Sequence, residues 1–254
     1  MNPYDPCVAN LTVDEQTPTI AWYVDDCKIS HKDPKVVDWL IKEIEKVHGK
    51  MTVTRGKKHV FVGMTIEYLG KGKVSIIMKD YLGECIEVSG IEVSEGAKTP
   101  ATKDLFVIDT NSPLLSEDKH NLFHHIVAKL LFIAKRARID IALTIAFLCT
   151  RVSKSTEQDW NKLARLLKYL HNMIDMPRIL QANDLTVLQT WVDASYAVHA
   201  DMKSHTGGCM SFGRRVFNVK SSKQKLNTKS STESKVVGAS YYLPGVIWFT
   251  HFMK

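Results

Sequence analysis

The spacing of apolar residues changes character twice along these 254 residues, which restricts the chain to folds built from separate blocks of strands and helices. In the first block, "TIAWYVDDCKIS" (Thr19 to Ser30) reads as a hairpin with Asp25 and Asp26 at its turn. A helix is expected next, with Asp33 as N-cap, Pro34 at the first helical position and Gly49 as its stop. Val37, Leu40, Ile41, Ile44 and Val47 recur at helical spacing and give it one apolar face. "HVFVGMTIEYLG" and "KVSIIMKD" read as strands separated by the turn Gly70-Lys71-Gly72. The order strand pair, helix, strand pair predicts a helix packed on a small antiparallel sheet.

From "SEGAKTPATKD" the sequence turns polar, and a boundary or linker is expected near residues 95–118. A helical region follows. Leu122, Phe123, Ile126, Val127, Leu130 and Leu131 form one stripe; Trp160, Leu163, Leu167 and Leu170 form another, led by a capping-box pattern of Ser155 with Gln158. Between them "RIDIALTIAFLCTRV" is apolar enough for a buried helix. After "NMIDMPRILQAND" the period changes again: "TVLQTWVD", "GGCMSFG" and "RRVFNVK" read as strands, the last two joined at Gly213-Arg214. A lysine-rich loop, "KSSKQKLNTK", then leads into a helix at "SSTES".

Lys and Arg total 34 against 27 Asp and Glu, a net +7, which favours an anionic partner such as nucleic acid or a lipid surface. The five cysteines, Cys7, Cys27, Cys85, Cys149 and Cys209, are scattered with no C-x-x-C pair, as in a reducing, intracellular setting, cytoplasm or nucleus. "MNPYDPCVANLTVDEQ" lacks a signal-peptide core, and no apolar run approaches the ~20 residues of a membrane helix, so no membrane partner is expected.

Asp25 and Asp26 are the sharpest chemical feature. Tight hairpins favour Asn-Gly or Asp-Gly, and adjacent carboxylates repel each other. A divalent cation relieves that repulsion: Mg²⁺ takes one or two carboxylates and completes its shell with phosphates and water. A plain polar turn and a metal half-site both remain open on this ground. Asp193 closes the apolar strand "TVLQTWVD", and Glu233 sits in the first turn of the last helix. Ser230 with Glu233 is also a capping box, and a first-turn glutamate can serve both purposes. Asp201 reads as a loop charge. Lys220, Lys223, Lys225, Lys229 and Lys235, interleaved with hydroxyls, form either a phosphate-gripping loop or an ordinary solvated one. His120 and His124 share a helix face but lack the glutamate of a zinc-protease helix, so they read as core or surface residues. The five tryptophans, Trp22, Trp39, Trp160, Trp191 and Trp248, read chiefly as core residues, with stacking on bases as the lesser alternative.

The motifs in order resemble a known family. "WYVDDCKIS" resembles the Y-x-D-D hairpin of reverse transcriptases, and what surrounds it is similar to copia-type retrotransposon polyproteins over nearly the whole chain. "NPYDPCV" resembles the segment before that hairpin, "HVFVGMTI" the F-L-G strand, and "AKTPATKD" the stretch before the thumb-like helices. "RARIDIALTIAFLCTRVSKSTEQDWNKLARLLKYL" resembles the R-P-D-I block and the helix after it. "WVDASYA", "SHTGG" and "SSTES" resemble the start of the linked ribonuclease H domain.

The resemblance implies an α+β chain in three parts: a partial reverse-transcriptase palm at 1–94, with antiparallel sheet and helix, a linker and thumb-like helical region at 95–182, and an incomplete ribonuclease H-like α/β unit at 183–254. It implies an RNA-directed DNA polymerase with a linked RNA–DNA hybrid ribonuclease, both using two-metal phosphoryl transfer with Mg²⁺ or Mn²⁺ ~3.5–4 Å apart. Asp25 and Asp26 would serve the polymerase and Asp193 and Glu233 the nuclease, as catalytic and metal-binding residues. Lys220, Lys223, Lys225 and Lys229 would grip nucleic acid. Partners would be RNA–DNA hybrid or primer–template, and deoxynucleotides in the intact enzyme. The family places a further catalytic aspartate before the hairpin and further nuclease carboxylates after the last helix, and neither lies in this chain. Ile139 replaces the proline of R-P-D-I, Lys235 replaces a glutamate, and Pro244-Gly245 is expected to interrupt the last helix, where an interior Pro costs ~3 kcal/mol and Gly ~1. A truncated copy, inactive alone, is the expectation. A non-catalytic, basic nucleic-acid-binding remnant is the alternative, and a poorly folding relic is a third.

Overall fold

The computed structural model describes residues 1–11, 17–94 and 96–253. Residues 12–16 of the stretch read for a signal peptide, Glu95 at the start of the expected linker, and Lys254 lie outside the described residues. The fold is mixed α+β, with antiparallel sheets and helices in blocks.

Strands β1 (Val8–Asn10), β2 (Thr19–Tyr23) and β3 (Asp26–Ser30) form one antiparallel sheet in that order, followed by helix α1 (Pro34–His48). Its signals work as the sequence predicts: Asp33 accepts the backbone N–H of Lys35 at 2.8 Å, Pro34 opens the helix, and Gly49 takes φ +84°. Only Leu40 of its apolar face is buried, so α1 is a loosely covered helix and not one clamped on a sheet.

The second sheet corrects that expectation. "HVFVGMTIEYLG" is not one strand but a hairpin, β4 (Lys58–Phe61) and β5 (Met64–Gly70), turned at Val62 and Gly63. Both take positive φ, 53° and 70°, the pattern of a type I′ turn. Strand β6 (Lys73–Ile77) continues the meander, and β7 (Arg178–Gln181) joins it from about a hundred residues downstream. Helix α2 (Lys79–Ser89) lies between; the sequence signals place Lys79 and Asp80 at the end of the preceding strand and pick out no element beyond them.

These strands share one core with α3 (Glu117–Arg136), α4 (Ala142–Cys149) and α5 (Glu157–Asn172). Phe123, Ile126, Leu130, Ile133, Ile141, Leu148, Leu163, Leu166, Leu167 and Leu170 are fully enclosed, with Ile76, Met78, Leu82 and Cys85 from β6 and α2. The polar stretch expected as a linker is docked on this core. Leu105 is buried, and Lys162 Nζ donates to the carbonyls of Leu105 at 2.9 Å and Val107 at 2.6 Å.

Two charged clusters fix the helices. Arg138, almost wholly buried, grips Asp140 with two nitrogens at 3.0 and 2.8 Å and the Met173 carbonyl at 3.0 Å, while Tyr169 donates to Asp140 at 2.9 Å. The "RID" block is thus a staple between a 3₁₀ turn (Ile139–Ile141) and the end of α5. The N-cap of α5 is Thr156 with Asp159 in a full capping box, one residue along from the expected Ser155 and Gln158. Arg151 Nε donates to both Asp159 oxygens at 3.1 Å, which compensates a carboxylate with no exposure. Ser155 is released to bond His120 at 2.8 Å.

The last block is the sheet β10–β9–β8, from β8 (Gln189–Ser195), β9 (His205–Ser211) and β10 (Val216–Lys223), with α6 (Ser231–Phe252) laid on β8 and β9. The motif residues Ser204 to Gly208 are absorbed in holding it. Ser204 accepts from the Ala197 backbone at 3.1 Å, Thr206 accepts from the Gln224 amide at 3.0 Å, and His205 bonds Ser221 at 2.7 Å. Gly208 faces the ring of Tyr242, and a Cβ there would stand 2.5 Å from it. Pro244 does not interrupt α6: the helix runs through it, without the hydrogen bond that a proline cannot donate.

Buried aromatics join this block to the core. His199 Nε2 and His205 Nδ1 are 3.0 Å apart, and Phe106 and Phe147 pack on the imidazoles at 4.9 to 6.4 Å. Arg178 bridges the same joint, donating to the carbonyls of Arg136 and Phe217.

Two predictions follow from this packing. Gly208→Ala drives a methyl into the Tyr242 ring and lowers stability by about 1–3 kcal/mol in chemical denaturation, the usual range for overpacking; an unchanged midpoint would contradict the packing. Burial, with Lys223 nearby for His199 and His199 itself for His205, pushes both imidazoles down to about 4. The unfolded chain binds these protons below about pH 6.5 while the folded one refuses them, so stability is full above that pH and falls as pH drops toward 4. Each refused proton contributes a slope of about 1.4 kcal/mol per pH unit, and His205→Gln flattens that slope relative to wild type.

Candidate functional site

The hairpin at Asp25 and Asp26 forms, with its turn shifted by one residue. Tyr23 pairs with Asp26, so Val24 and Asp25 occupy the turn and Asp26 opens β3. Val24 takes φ +52°, a conformation that a β-branched residue rarely adopts and one that stores strain. Positive φ at the first turn position alone is the pattern of a type II′ turn, which normally calls for glycine.

The consequence is two adjacent carboxylates held at an exposed tip. Neither has an ion-pair partner among the described residues. The hairpin leans on the core through its flanks. Lys28 Nζ sits 5.2 Å from the centre of the Tyr68 ring, and burial lowers the pKa of the Arg136 guanidinium while Tyr23 and Tyr81 beside it oppose that shift. Arg136 in turn lies 3.5 Å over Phe132, beside Tyr81 and Lys129.

No group of three His, Cys, Asp or Glu side chains placed to hold a metal ion occurs among the described residues. For Asp25 and Asp26 the donor set still suits Mg²⁺, because one or two carboxylates suffice when substrate phosphates and water fill the remaining positions.

The second expected pair differs. Asp193 lies inside β8 and does not close it, since the strand runs on to Ser195. Its carboxylate accepts the Ala194 N–H at 2.9 Å and pairs with Lys235 at 3.2 Å, and these hold it below the usual carboxylate range, the backbone bond first and the lysine second. Glu233 accepts the Lys229 N–H at 2.6 Å while its own N–H donates to Ser230 at 3.1 Å, the closing bonds of the α6 N-terminus. The structure thus joins Asp193 to Lys235 and commits Glu233 to capping. As they stand, these two residues do not fit a divalent ion.

The lysines divide in two. Lys220 and Lys223 belong to β10 and not to a loop. Lys220 sits 4.0 Å over the Tyr241 ring and Lys223 pairs with Asp201 at 2.8 Å, so Asp201 is an anchor as well as a loop charge. Lys225 and Lys229 are exposed and form no ion pair among the described residues.

The sequence signals passed over two site-shaping groups. Val24 carries no mark of a turn residue. The His199–His205 contact joins residues six apart across a loop with two positive-φ positions, Ala197 and Met202.

No protein-family profile and no solved structure matches the chain. Curated relatives do. A transposon Ty5-1 protein of Saccharomyces cerevisiae is 26% identical over 189 residues, 74% of this chain and 60% of that protein. The retrovirus-related Pol polyprotein from transposon TNT 1-94 of Nicotiana tabacum is 23% identical over 257 residues, 98% of this chain and 19% of the polyprotein. That from transposon RE2 of Arabidopsis thaliana is 24% identical over 216 residues, 84% of this chain and 14% of the polyprotein. The chain thus spans 60% of the first of these relatives and under a fifth of each of the two polyproteins. It is homologous to a stretch of the Pol polyproteins of Ty- and copia-type retrotransposons.

Proposed function

We propose that this chain is the part of a retrotransposon polyprotein that handles primer–template or RNA–DNA hybrid, with a polymerase half-site at Asp25 and Asp26 and a ribonuclease H-derived module at its C-terminal end. The observation that carries the reading is the strained Val24 turn, which keeps two unneutralised carboxylates at an exposed tip. Strain at a β-branched turn residue persists where the surrounding structure enforces it, and such places cluster at functional sites.

In that reading the first block is the palm portion and the helices of the core are the thumb-like portion. Asp25 and Asp26 hold a divalent cation only once phosphates of nucleic acid and deoxynucleotide complete its shell. The cation supplies charge stabilisation to the attacking and leaving oxygens of phosphoryl transfer. The chain's own residues orient it: Val24 sets the turn, and Lys28 and Arg136 steady the hairpin's flanks and add positive charge for a phosphate backbone. Two carboxylates without a third make a half-site, so the isolated chain is expected to bind without catalysing.

A non-catalytic, binding-only reading gains support from the C-terminal module, where Asp193 is paired with Lys235 and Glu233 caps α6. Both readings share the same nucleic-acid contact.

The purified chain is expected to bind RNA–DNA hybrid in the absence of Mg²⁺, with affinity falling as salt rises, and to show neither primer extension nor hybrid cleavage. Each phosphate contact contributes about 0.7–0.9 to the slope of log affinity against log salt. Lys225→Ala with Lys229→Ala lowers that slope by about 1.4–1.8. Lys220→Ala and Lys223→Ala change it less, because those ammonium groups already rest on Tyr241 and Asp201. Salt-insensitive binding sinks the nucleic-acid reading, and extension or cleavage that survives Asp26→Ala or Asp193→Ala sinks the site assignment.

A further inference from the structure

The carboxylate of Asp193 already has a cation beside it. Lys235 Nζ stands 3.2 Å from Oδ1, the same oxygen that accepts the Ala194 N–H at 2.9 Å. Lys235 is the fifth residue of α6, two residues past Glu233, and helical positions two apart do not face each other. The lysine rather than the glutamate reaches β8, while Glu233 is retained at the Lys229 N–H.

We infer that Lys235 acts as the counter-cation of Asp193, so that this corner of the molecule takes a divalent ion poorly and offers nucleic acid a neutralised, metal-independent surface. Three features favour this assignment. A divalent ion approaching Asp193 meets an ammonium group already within ion-pair distance. One Asp193 oxygen is engaged by both the backbone and the lysine. No third carboxylate, histidine or cysteine stands with Asp193 and Glu233 among the described residues. Lys235 and Asp193 are 60% and 76% exposed, so the pair is weak in energy and easily removed by substitution without disturbing the fold. This inference stands on the ion pair and is independent of whether the hairpin is a polymerase half-site.

Trp191 gives a direct reporter. It is half-exposed and two residues from Asp193 on β8, hence on the same face of the strand. The experiment titrates Tb³⁺ into the full chain carrying Asp25→Asn and Asp26→Asn, and reads luminescence sensitised by Trp191. The expected result is little sensitised signal with Lys235 present, several-fold tighter binding with Lys235→Ala, and at least tenfold tighter binding with Lys235→Glu. Adding Asp193→Asn returns each variant to the starting level. Tb³⁺ binding with Lys235 in place that equals the Lys235→Glu affinity overturns the inference. A second measurement needs no change at Lys235: Mn²⁺ binding to the same background, read by water-proton relaxation, is expected to be unaffected by Asp193→Asn, and a loss of bound Mn²⁺ on that substitution overturns the inference as well.

Discussion

The helical core built on α3 is the contact on which the rest of the structure depends. Phe123, Ile126, Leu130 and Ile133 bury the α3 stripe against α4, α5 and the inner residues of β6 and α2. Apolar burial of this kind is worth about 1.5–3 kcal/mol per large side chain, before chain entropy is counted, so these residues outweigh any single ion pair on the surface. The two peripheral blocks are attached to it by polar and aromatic contacts. The hairpin leans on Tyr68 and Arg136; the last sheet meets it through Phe106, Phe147, the two histidines and Arg178.

The two pairs of acidic residues expected to hold metal have opposite electrostatic fates. At Asp25 and Asp26 the turn isolates negative charge at an exposed tip, and no ion pair among the described residues answers it. At Asp193 and Glu233 the negative charge is already answered, by Lys235 and by the N-terminus of α6. A carboxylate that has found a cation within the chain has less use for one from solution. For Asp193 the difference arises from the lysine at position 235, and for Glu233 from the capping bonds at the start of α6.

Where local chemistry decides, the sequence was readable. Asp33, Pro34 and Gly49 bound α1 as their side chains and φ preferences require, and the α3 stripe lies where its spacing placed it. Misreadings occurred where tertiary packing overrode propensity. Val24 and Val62 take positive φ that no local preference favours, because the strands they join are held by pairing on both sides. Strand β7 pairs with β6 across a hundred residues, a contact that no window of sequence can report. Pro244 remains helical because Tyr242 and Phe249, on either side of it, are packed against the last sheet. The order of motifs pointed to the polyprotein relatives and the Ser230–Glu233 cap was legible locally, whereas the Lys235 partner of Asp193 emerged only when α6 was laid beside β8.

All of this converges on whether the tip carboxylates hold a divalent ion together with a polynucleotide's phosphates. The most direct measurement is the paramagnetic resonance of Mn²⁺ added to the full chain, with and without primer–template and deoxynucleotide. The account predicts Mn²⁺ retained at the hairpin only when nucleic acid is present, and lost with Asp25→Asn and Asp26→Asn. Mn²⁺ retention that is the same in that double variant as in the unaltered chain would contradict it.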